Sequence, residues 1–401
     1  MNPSSRAEAF DAARDVAVPA RRRPLLLCLS HLRWDFVFQR PQHLLSRATA
    51  SYEVVFLEEP VGAAPGQPPR LETHLTAQGV LVATPVLSYD LTATEAEQAQ
   101  RILLDELIEE RATPPSVVWY YTPMALPFSR HLRPDVSVYD CMDELSLFSG
   151  APPRLGALEQ ELIDRVDLVF TGGRSLYAAK RHRHPGTHLF PSSVDVGHFL
   201  PARERLAEPE DQVGLPRPRL GYFGVIDERV DLELVAGVAA LRPDWQIVMV
   251  GPLAKLDPAT LPQQPNLHWL GGKSYASLPA YLAGWDVGLM PFALNEATRF
   301  ISPTKTPEYL AAGVPVVSTA VADVVHDWGE AGLVEIAADP ASFIEAAERV
   351  MARSCAPWLA QVDQRLADLS WDRSWAGMQA LIDAVRCASA AISPTGVQAV
   401  V

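Results

Sequence analysis

The sequence predicts an α/β protein made of two Rossmann-like halves. Short runs of apolar, β-branched residues alternate with helical stretches over most of the chain. A stretch rich in proline and charge, FPSSVDVGHFLPARERLAEPEDQVGLPRPR, interrupts that alternation, which then restarts with the same rhythm. Strands buried on both faces read as continuous apolar runs. Their alternation with helices builds a parallel sheet covered on both faces. At 401 residues the chain is long enough for two separate cores.

In the first half the runs Leu25 to Ser30, Val54 to Leu57, Val80 to Val86, Val117 to Tyr121, Val136 to Tyr139, Leu168 to Thr171 and Leu189 to Pro191 read as strands. Helical periodicity is clearest over Thr92 to Arg111 and Leu155 to Val166. In the second half the strands are Leu220 to Phe223, Ile247 to Val250, Leu267 to Leu270, Val287 to Met290, Val314 to Thr319 and Leu333 to Ile336. The boundary falls near residue 200. The predicted organisation is a flexible N-terminus over 1–22, domains over 23–200 and 201–370, a terminal helix over 371–390 and a flexible tail over 391–401. SWDRSWAGMQALIDAV supplies that helix, with Ser370 or Asp372 as its cap.

The richest stretch for function is SPTKTPEYLAAGVPVVST, Ser302 to Thr319. Pro303 and Pro307 stiffen a loop, and Pro307 suits a first helical turn because its missing N–H costs nothing there. Glu308 to Ala312 read as the helix, Gly313 ends it, and a buried strand follows. A helix N-terminus offers unpaired N–H groups and positive dipole charge to a phosphate. Lys305 adds a cation in the same loop, and Glu308 supplies an acceptor for two vicinal hydroxyls. These parts suit a nucleoside diphosphate. Loop–helix–strand units of this composition also occur without a ligand, with the lysine solvated and the acid favoured only by the dipole.

Ligands of open α/β sheets bind beyond the carboxyl ends of the strands, and other candidates sit there. HLRWDFVFQRPQHL follows the first strand and offers His31, Trp34, Asp35, Gln39 and Arg40. Trp34 is placed to stack on a sugar and Arg40 to meet phosphate; helix packing is the competing role for Trp34. DCMDELSLF follows another strand and gathers Asp140, Asp143 and Glu144, for acid–base work, sugar binding or helix capping. Gly172-Gly173-Arg174-Ser175 after a further strand allows close backbone approach or simply makes a turn. In the second half Gly224 permits a tight turn, Arg229 reaches toward a diphosphate or pairs with Asp227 or Asp231, and Asp286 reads as a structural turn acid.

The Ser302–Thr319 segment resembles the donor-binding signature of GT-B glycosyltransferases, in particular family-4-like enzymes related to teichuronic-acid and exopolysaccharide transferases. QRPQHLL, YDCMDE, PSSVDVGHF and GGKSYASLPAYLAGWDVGLMPF resemble other segments of that group, so the resemblance spans roughly residues 25 to 385. It implies two Rossmann-like domains facing across a cleft, acceptor domain first and nucleotide-sugar domain second, with the terminal helix crossing back to the first. It implies donor contacts from Gly224, Arg229, Lys273, Tyr275, Ser302, Thr304, Lys305 and Glu308, with Lys273 and Tyr275 beside the base. Asp143, Lys305 and Arg229 are the catalytic candidates, and His31, Trp34, Asp35, Gln39, Arg40, Asp140 and Glu144 the acceptor-binding ones. The implied activity is retaining transfer of a sugar from a UDP- or GDP-linked donor to a saccharide or lipid-linked hydroxyl in bacterial surface polysaccharide synthesis. Two departures stand out. Phe300 holds a position where many relatives carry a second Glu, and Ser192-Ser193 replaces a usual Asn-Gly. A nucleotide-sugar epimerase and a non-catalytic nucleotide-sugar-binding protein are the alternatives.

Composition bounds these readings. The net charge of −14 argues against broad nucleic-acid binding. Arg21, Arg22 and Arg23 form a local basic patch that leaves room for a weak peripheral membrane contact. No run reaches the roughly 20 apolar residues of a membrane span, and MNPSSRAEAFDAARD is too polar for a secretory signal. Cys28, Cys141, Cys355 and Cys387 fit neither a zinc site nor a disulfide framework, and a cytoplasmic setting is expected. No metal-binding pattern is evident, so no metal or other cofactor is expected beyond the nucleotide-sugar co-substrate.

Overall fold

The computed structural model describes residues 23–392 apart from 112 and 205. The segments expected to be flexible, 1–22 and all but the first two residues of 391–401, lie outside the described residues, as do Arg21 and Arg22.

The first sheet holds β1 (Leu25–Leu29), β2 (Glu53–Leu57), β3 (Val61–Ala63), β4 (Arg70–Leu75), β5 (Val80–Ser88), β6 (Pro115–Tyr120), β7 (Val136–Cys141), β8 (Leu168–Thr171) and β9 (Thr187–Leu189). Its order is β3-β5-β2-β1-β6-β7-β8-β9, all parallel, with β4 antiparallel on β5. The second sheet holds β10 (Arg219–Phe223), β11 (Gln246–Val250), β12 (Leu267–Gly271), β13 (Val287–Met290), β14 (Val316–Ser318) and β15 (Val334–Ile336). It is wholly parallel in the order β12-β11-β10-β13-β14-β15. This is the doubly wound arrangement, whose order reverses between its first and fourth strands. In the second sheet the reversal lies between β10 and β13; in the first it lies between β1 and β6.

Every residue of β1, β10 and β11 is buried, as the unbroken apolar runs require. Each fully buried Leu, Ile or Val contributes about 1.5–3 kcal/mol. Cys28 and Cys141 are among these core residues, as expected. Asp286 is the structural acid foreseen: it accepts from the Arg219 N–H at 2.8 Å and pairs with Arg217 at 2.6 Å, tying the starts of β10 and β13 together.

The chain crosses between sheets early. Val194, Phe199 and Ala202 already pack in the second core. It returns through the helix Trp371–Ile392, which buries Trp371, Trp375, Met378 and Ile382 in the first core. Trp375 lies 6.2 Å from Trp119, Gln379 donates to the Tyr52 hydroxyl at 2.8 Å, and Arg47 pairs with Asp372 at 2.7 Å. Tryptophans at positions 371 and 375 share one helical face, which is why this helix docks rather than trails.

Candidate functional site

The site grows from the switch point of the second sheet. Beyond β10 stands Gly224, with φ 133°, and beyond β11 stands Gly251, with φ 154°. A Cβ on Gly251 would lie 1.8 Å from the Gly224 carbonyl oxygen, so the two strand ends approach as only glycine allows. Lys305 lies over this bare backbone: a Cβ on Gly224 would fall 2.0 Å from its Cε. Its Nζ stands 5.6 Å from the Tyr222 ring and 5.8 Å from the Phe292 ring.

The helix behind Lys305 spans Lys305–Ala311, two residues earlier than Pro307 suggested, and Gly313 ends it with φ 77°. Pro307 sits third in that helix, still among the positions whose N–H has no intrahelical partner. With only seven residues, this helix leaves the positive charge of the site to side chains. One turn on, Glu308 is buried. Burial, with Arg229 nearby, lowers the Lys305 ammonium from 10.5 to about 8. Burial raises the Glu308 carboxyl from 4.5 to about 8, and Lys305 opposes that rise. Arg229 forks onto Asp227, Nε to Oδ1 at 2.9 Å and Nη2 to Oδ2 at 2.6 Å, and its guanidinium lies 5.6 Å from the Phe148 ring of the first domain.

Two small chambers result. One, of about 120 Å³, is lined by Gln39, Gly224, Gly251, Tyr275, Lys305 and Glu308 among others. The second, of about 100 Å³, adds Met142, Asp143, Phe292 and Ser302, and shares Gln39, Arg229, Thr304 and Lys305 with the first. Asp143 enters from the first domain. Burial raises its carboxyl above the usual 3.8, Arg229 and Lys305 oppose this, and Asp227 adds to it. Among the described residues, the side-chain charges of Asp143, Lys305 and Glu308 have no hydrogen bond or ion pair. Groups of both signs, Glu308 buried and Asp143 and Lys305 half-buried, yet without a hydrogen bond or ion pair, mark a candidate ligand site. A larger cavity of about 460 Å³, lined by Arg217, Asp286, Pro315 and Trp358, opens at the amino ends of β10, β13 and β14, the wrong end for a ligand of this fold.

The donor candidates Gly224, Arg229, Lys273, Tyr275, Thr304, Lys305 and Glu308 thus converge on one chamber, with Ser302 on its neighbour. Lys273 also pairs with Asp211 at 2.6 Å. The acceptor candidates divide. Gln39 lines both chambers. Arg40 borders the second, but its guanidinium is committed: it forks onto Asp140 at 2.8–3.1 Å, both side chains buried, and donates to the Phe190 carbonyl at 2.8 Å. This corrects the expectation of a phosphate-binding Arg40 and a ligand-facing Asp140; the pair locks the end of β7 to the helix Arg40–Ala48. Trp34 is corrected likewise, because its indole is 6% exposed and packs edge-on against Phe56 at 5.2 Å. Glu144 pairs with Lys180, which also holds Glu159 at 2.7 Å. Asp35 is exposed and pairs with His74 at 3.1 Å. His31 is held neutral, its pKa lowered by burial to about 4 with the Tyr121 backbone opposing.

Sequence reasoning missed Val37 and Phe38, first-domain residues that line the first chamber. It also missed Asp323, whose carboxylate caps the Gly-Gly helix Arg174–Lys180 across the domain boundary. Phe300 packs its ring against the first-domain core, away from the chambers.

Residues 217–353 match the family model described as glycosyl transferases group 1. The putative teichuronic acid biosynthesis glycosyltransferase TuaH of Bacillus subtilis (strain 168) is 26% identical over 276 residues, 63% of this chain and 68% of that one. Among solved structures, sucrose-phosphate synthase from Thermosynechococcus elongatus aligns with a TM-score of 0.65 and 15% identity, over 91% of this chain and 100% of that one. Anabaena HepE, solved with UDP and glucose, aligns with a TM-score of 0.63 and 12% identity, over 89% and 99%. The structural likenesses give the GT-B fold, and the match to glycosyl transferases group 1 lies in residues 217–353, within the second domain.

Proposed function

We propose that this protein transfers a sugar, with retention of configuration, from a UDP- or GDP-linked donor to a hydroxyl of a saccharide or lipid-linked acceptor in bacterial surface polysaccharide synthesis. The observation that carries the reading is the convergence of unpaired Lys305, Glu308 and Asp143 at the switch-point cleft. HepE, solved with UDP and glucose, and TuaH, a putative teichuronic acid enzyme, are consistent with it.

Lys305 and Arg229 meet the diphosphate, Glu308 accepts from the ribose hydroxyls, and Lys273 and Tyr275 border the base. Transfer breaks the bond from the sugar's anomeric carbon to the phosphate oxygen and forms one to the acceptor oxygen on the same face. The acceptor's proton passes to the leaving phosphate oxygen. Negative charge grows on the diphosphate as the bond breaks, so fixed cations there favour the transition state over the bound donor. Asp143 orients the acceptor or the reacting centre from the opposite wall. The protein works at the cytoplasmic side of the membrane, with at most a peripheral contact; among the described residues no helix is long and apolar enough to cross it. Metal independence belongs to the same proposal: activity persists in excess chelator, and loss in EDTA restored by magnesium would overturn that part.

Incubation with a panel of nucleotide sugars tests the reading. Release of free nucleoside diphosphate, slow alone and faster with acceptor, is the expected result. An isomerised donor would make the protein an epimerase, and binding without turnover would make it a non-catalytic member.

A further inference from the structure

The charged chambers, about 120 Å³ and 100 Å³, are each below the roughly 300–1,000 Å³ of ordinary ligand sites. A groove of about 660 Å³ adjoins the donor chamber. The two share Val37, Phe38, Pro252, Lys273 and Tyr275, and the groove continues between Asp35 and His74 of the first domain and Ser274 of the second. Phe38 and Tyr275 stand at the junction with their rings stacked, centroids 4.6 Å apart and planes at 23°.

The two faces of Tyr275 are held differently. Behind it, His198 stacks at 4.1 Å and 9°, with its Nε2 2.9 Å from the Tyr275 carbonyl oxygen, and Phe199 meets the ring edge-on at 5.6 Å. His198 and Phe199 hold the ring from the second domain's side of the cleft, and His43 of the first-domain helix Arg40–Ala48 meets its edge at 5.5 Å. The front face is covered by Phe38, a partly exposed residue of the irregular segment between β1 and the helix Arg40–Ala48, and it comes from the other domain. The Tyr275 hydroxyl is buried without a hydrogen-bond partner, although Glu308 lines the same chamber.

We propose that a planar ligand group, the nucleobase of the donor, takes the face of Tyr275 that Phe38 now covers, and that the Phe38 ring yields toward the outer groove as it enters. The proposal rests on the nucleoside-diphosphate reading above. It joins the phosphate chamber to a groove of adequate volume, and it gives the fixed ring a partner to stack on. Phe38 then makes base binding depend on the position of the first domain.

Pyrophosphate and the nucleoside diphosphates UDP and GDP separate the possibilities by calorimetry. Pyrophosphate engages the cations and has no base. Phe38→Ala should tighten the better-bound nucleoside diphosphate about two- to tenfold, the worth of one aromatic pair, and leave pyrophosphate unchanged. Tyr275→Ala should weaken the nucleoside diphosphate and also leave pyrophosphate unchanged. In the unaltered protein, amides 36–39 should exchange faster with the nucleoside diphosphate bound and not with pyrophosphate. Phe38→Ala that leaves nucleoside-diphosphate affinity unchanged or weaker, or exchange over 36–39 that does not respond, would overturn the displacement. Binding of neither ligand by the unaltered protein would instead overturn the function proposed above, and this inference with it.

Discussion

Asp323 of the second domain caps the helix that Arg174 opens in the first: its carboxylate accepts from the N–H of Arg174 at 2.8 Å and of Ser175 at 3.0 Å. Gly173 makes room, since a Cβ there would lie 2.3 Å from Asp323 Oδ2. Arg174 adds an ion pair to Asp327 at 2.6 Å. A cap is worth about 0.5–2 kcal/mol, and here its loss falls on the arrangement of two domains. Asp323→Ala should lower the thermal midpoint and increase the radius of gyration in solution scattering. An unchanged scattering profile would mean that other contacts set the domain spacing.

The Arg40–Asp140 pair predicts a different failure. Asp140→Asn leaves a guanidinium buried without its counter-charge, which costs about 3–5 kcal/mol. Chemical denaturation should show that loss, with donor affinity of the folded fraction intact. Full stability with a raised KM for acceptor would restore Asp140 to the ligand side.

What could be read from the sequence follows from range. The apolar runs of β1, β10 and β13 announce buried parallel strands by composition alone, and the loop before Lys305 points to a candidate site by the types it gathers. β3 and β4 gave no such signal, because VGA and RLETHL are short, largely exposed and pair only with β5. The fate of Arg40 was illegible for another reason. A strand-end arginine looks the same whether it meets a phosphate or a carboxylate 100 positions away. Trp34 shows the same limit, since an aromatic beside a cleft becomes a core residue once Phe56 lies behind it. Phe38 is hidden because its stacking partner, Tyr275, belongs to the other domain.

The depressed Lys305 makes binding depend on pH in a defined direction. Burial and Arg229 lower its pKa from 10.5 to about 8, in the range where Glu308 also titrates. A diphosphate favours the charged form, so binding raises that pKa. Between about 8 and the ordinary 10.5, binding therefore takes up a proton and weakens with rising pH, by up to about tenfold per pH unit. Calorimetry in buffers of different ionisation enthalpy measures the uptake directly. Lys305→Arg should lose the part of that slope that Lys305 supplies, because a guanidinium does not lose its proton there, and keep only what Glu308 contributes in the same range. A flat profile in the unaltered protein would take Lys305 away from the phosphates.

Glu308 is tested through the ribose. Measured above about pH 8, where the Glu308 carboxyl has lost its proton, Glu308→Ala should weaken nucleoside-diphosphate binding by about 1.5–3 kcal/mol, the range for hydrogen bonds to a charged group. The dideoxy nucleotide should bind the unaltered protein less well by a similar amount, and should not distinguish it from the variant. If both losses appear in full together, Glu308 and the ribose hydroxyls do not meet.

Asp143 faces the same cations from the opposite domain, and the division of labour across the cleft follows from that. Lys305→Ala removes a charge that matters most when the diphosphate leaves, so turnover should fall further than donor affinity. Asp143→Asn keeps the shape of the side chain and removes its charge. On the proposed reading the donor's nucleotide is held mainly by groups of the second domain, so nucleoside-diphosphate affinity should stay within about twofold of the unaltered protein. Transfer should fall by roughly 10²-fold, the scale for a misplaced reacting group. Burial already raises the Asp143 carboxyl, with Arg229 and Lys305 opposing, so emptying either cation should raise it further and shift the acid limb of the rate profile upward. Paired titrations and rate measurements on folded variants decide it. Transfer at the unaltered rate in Asp143→Asn would leave that carboxylate without a part in the reaction and return the choice of acceptor group to Gln39 and its neighbours.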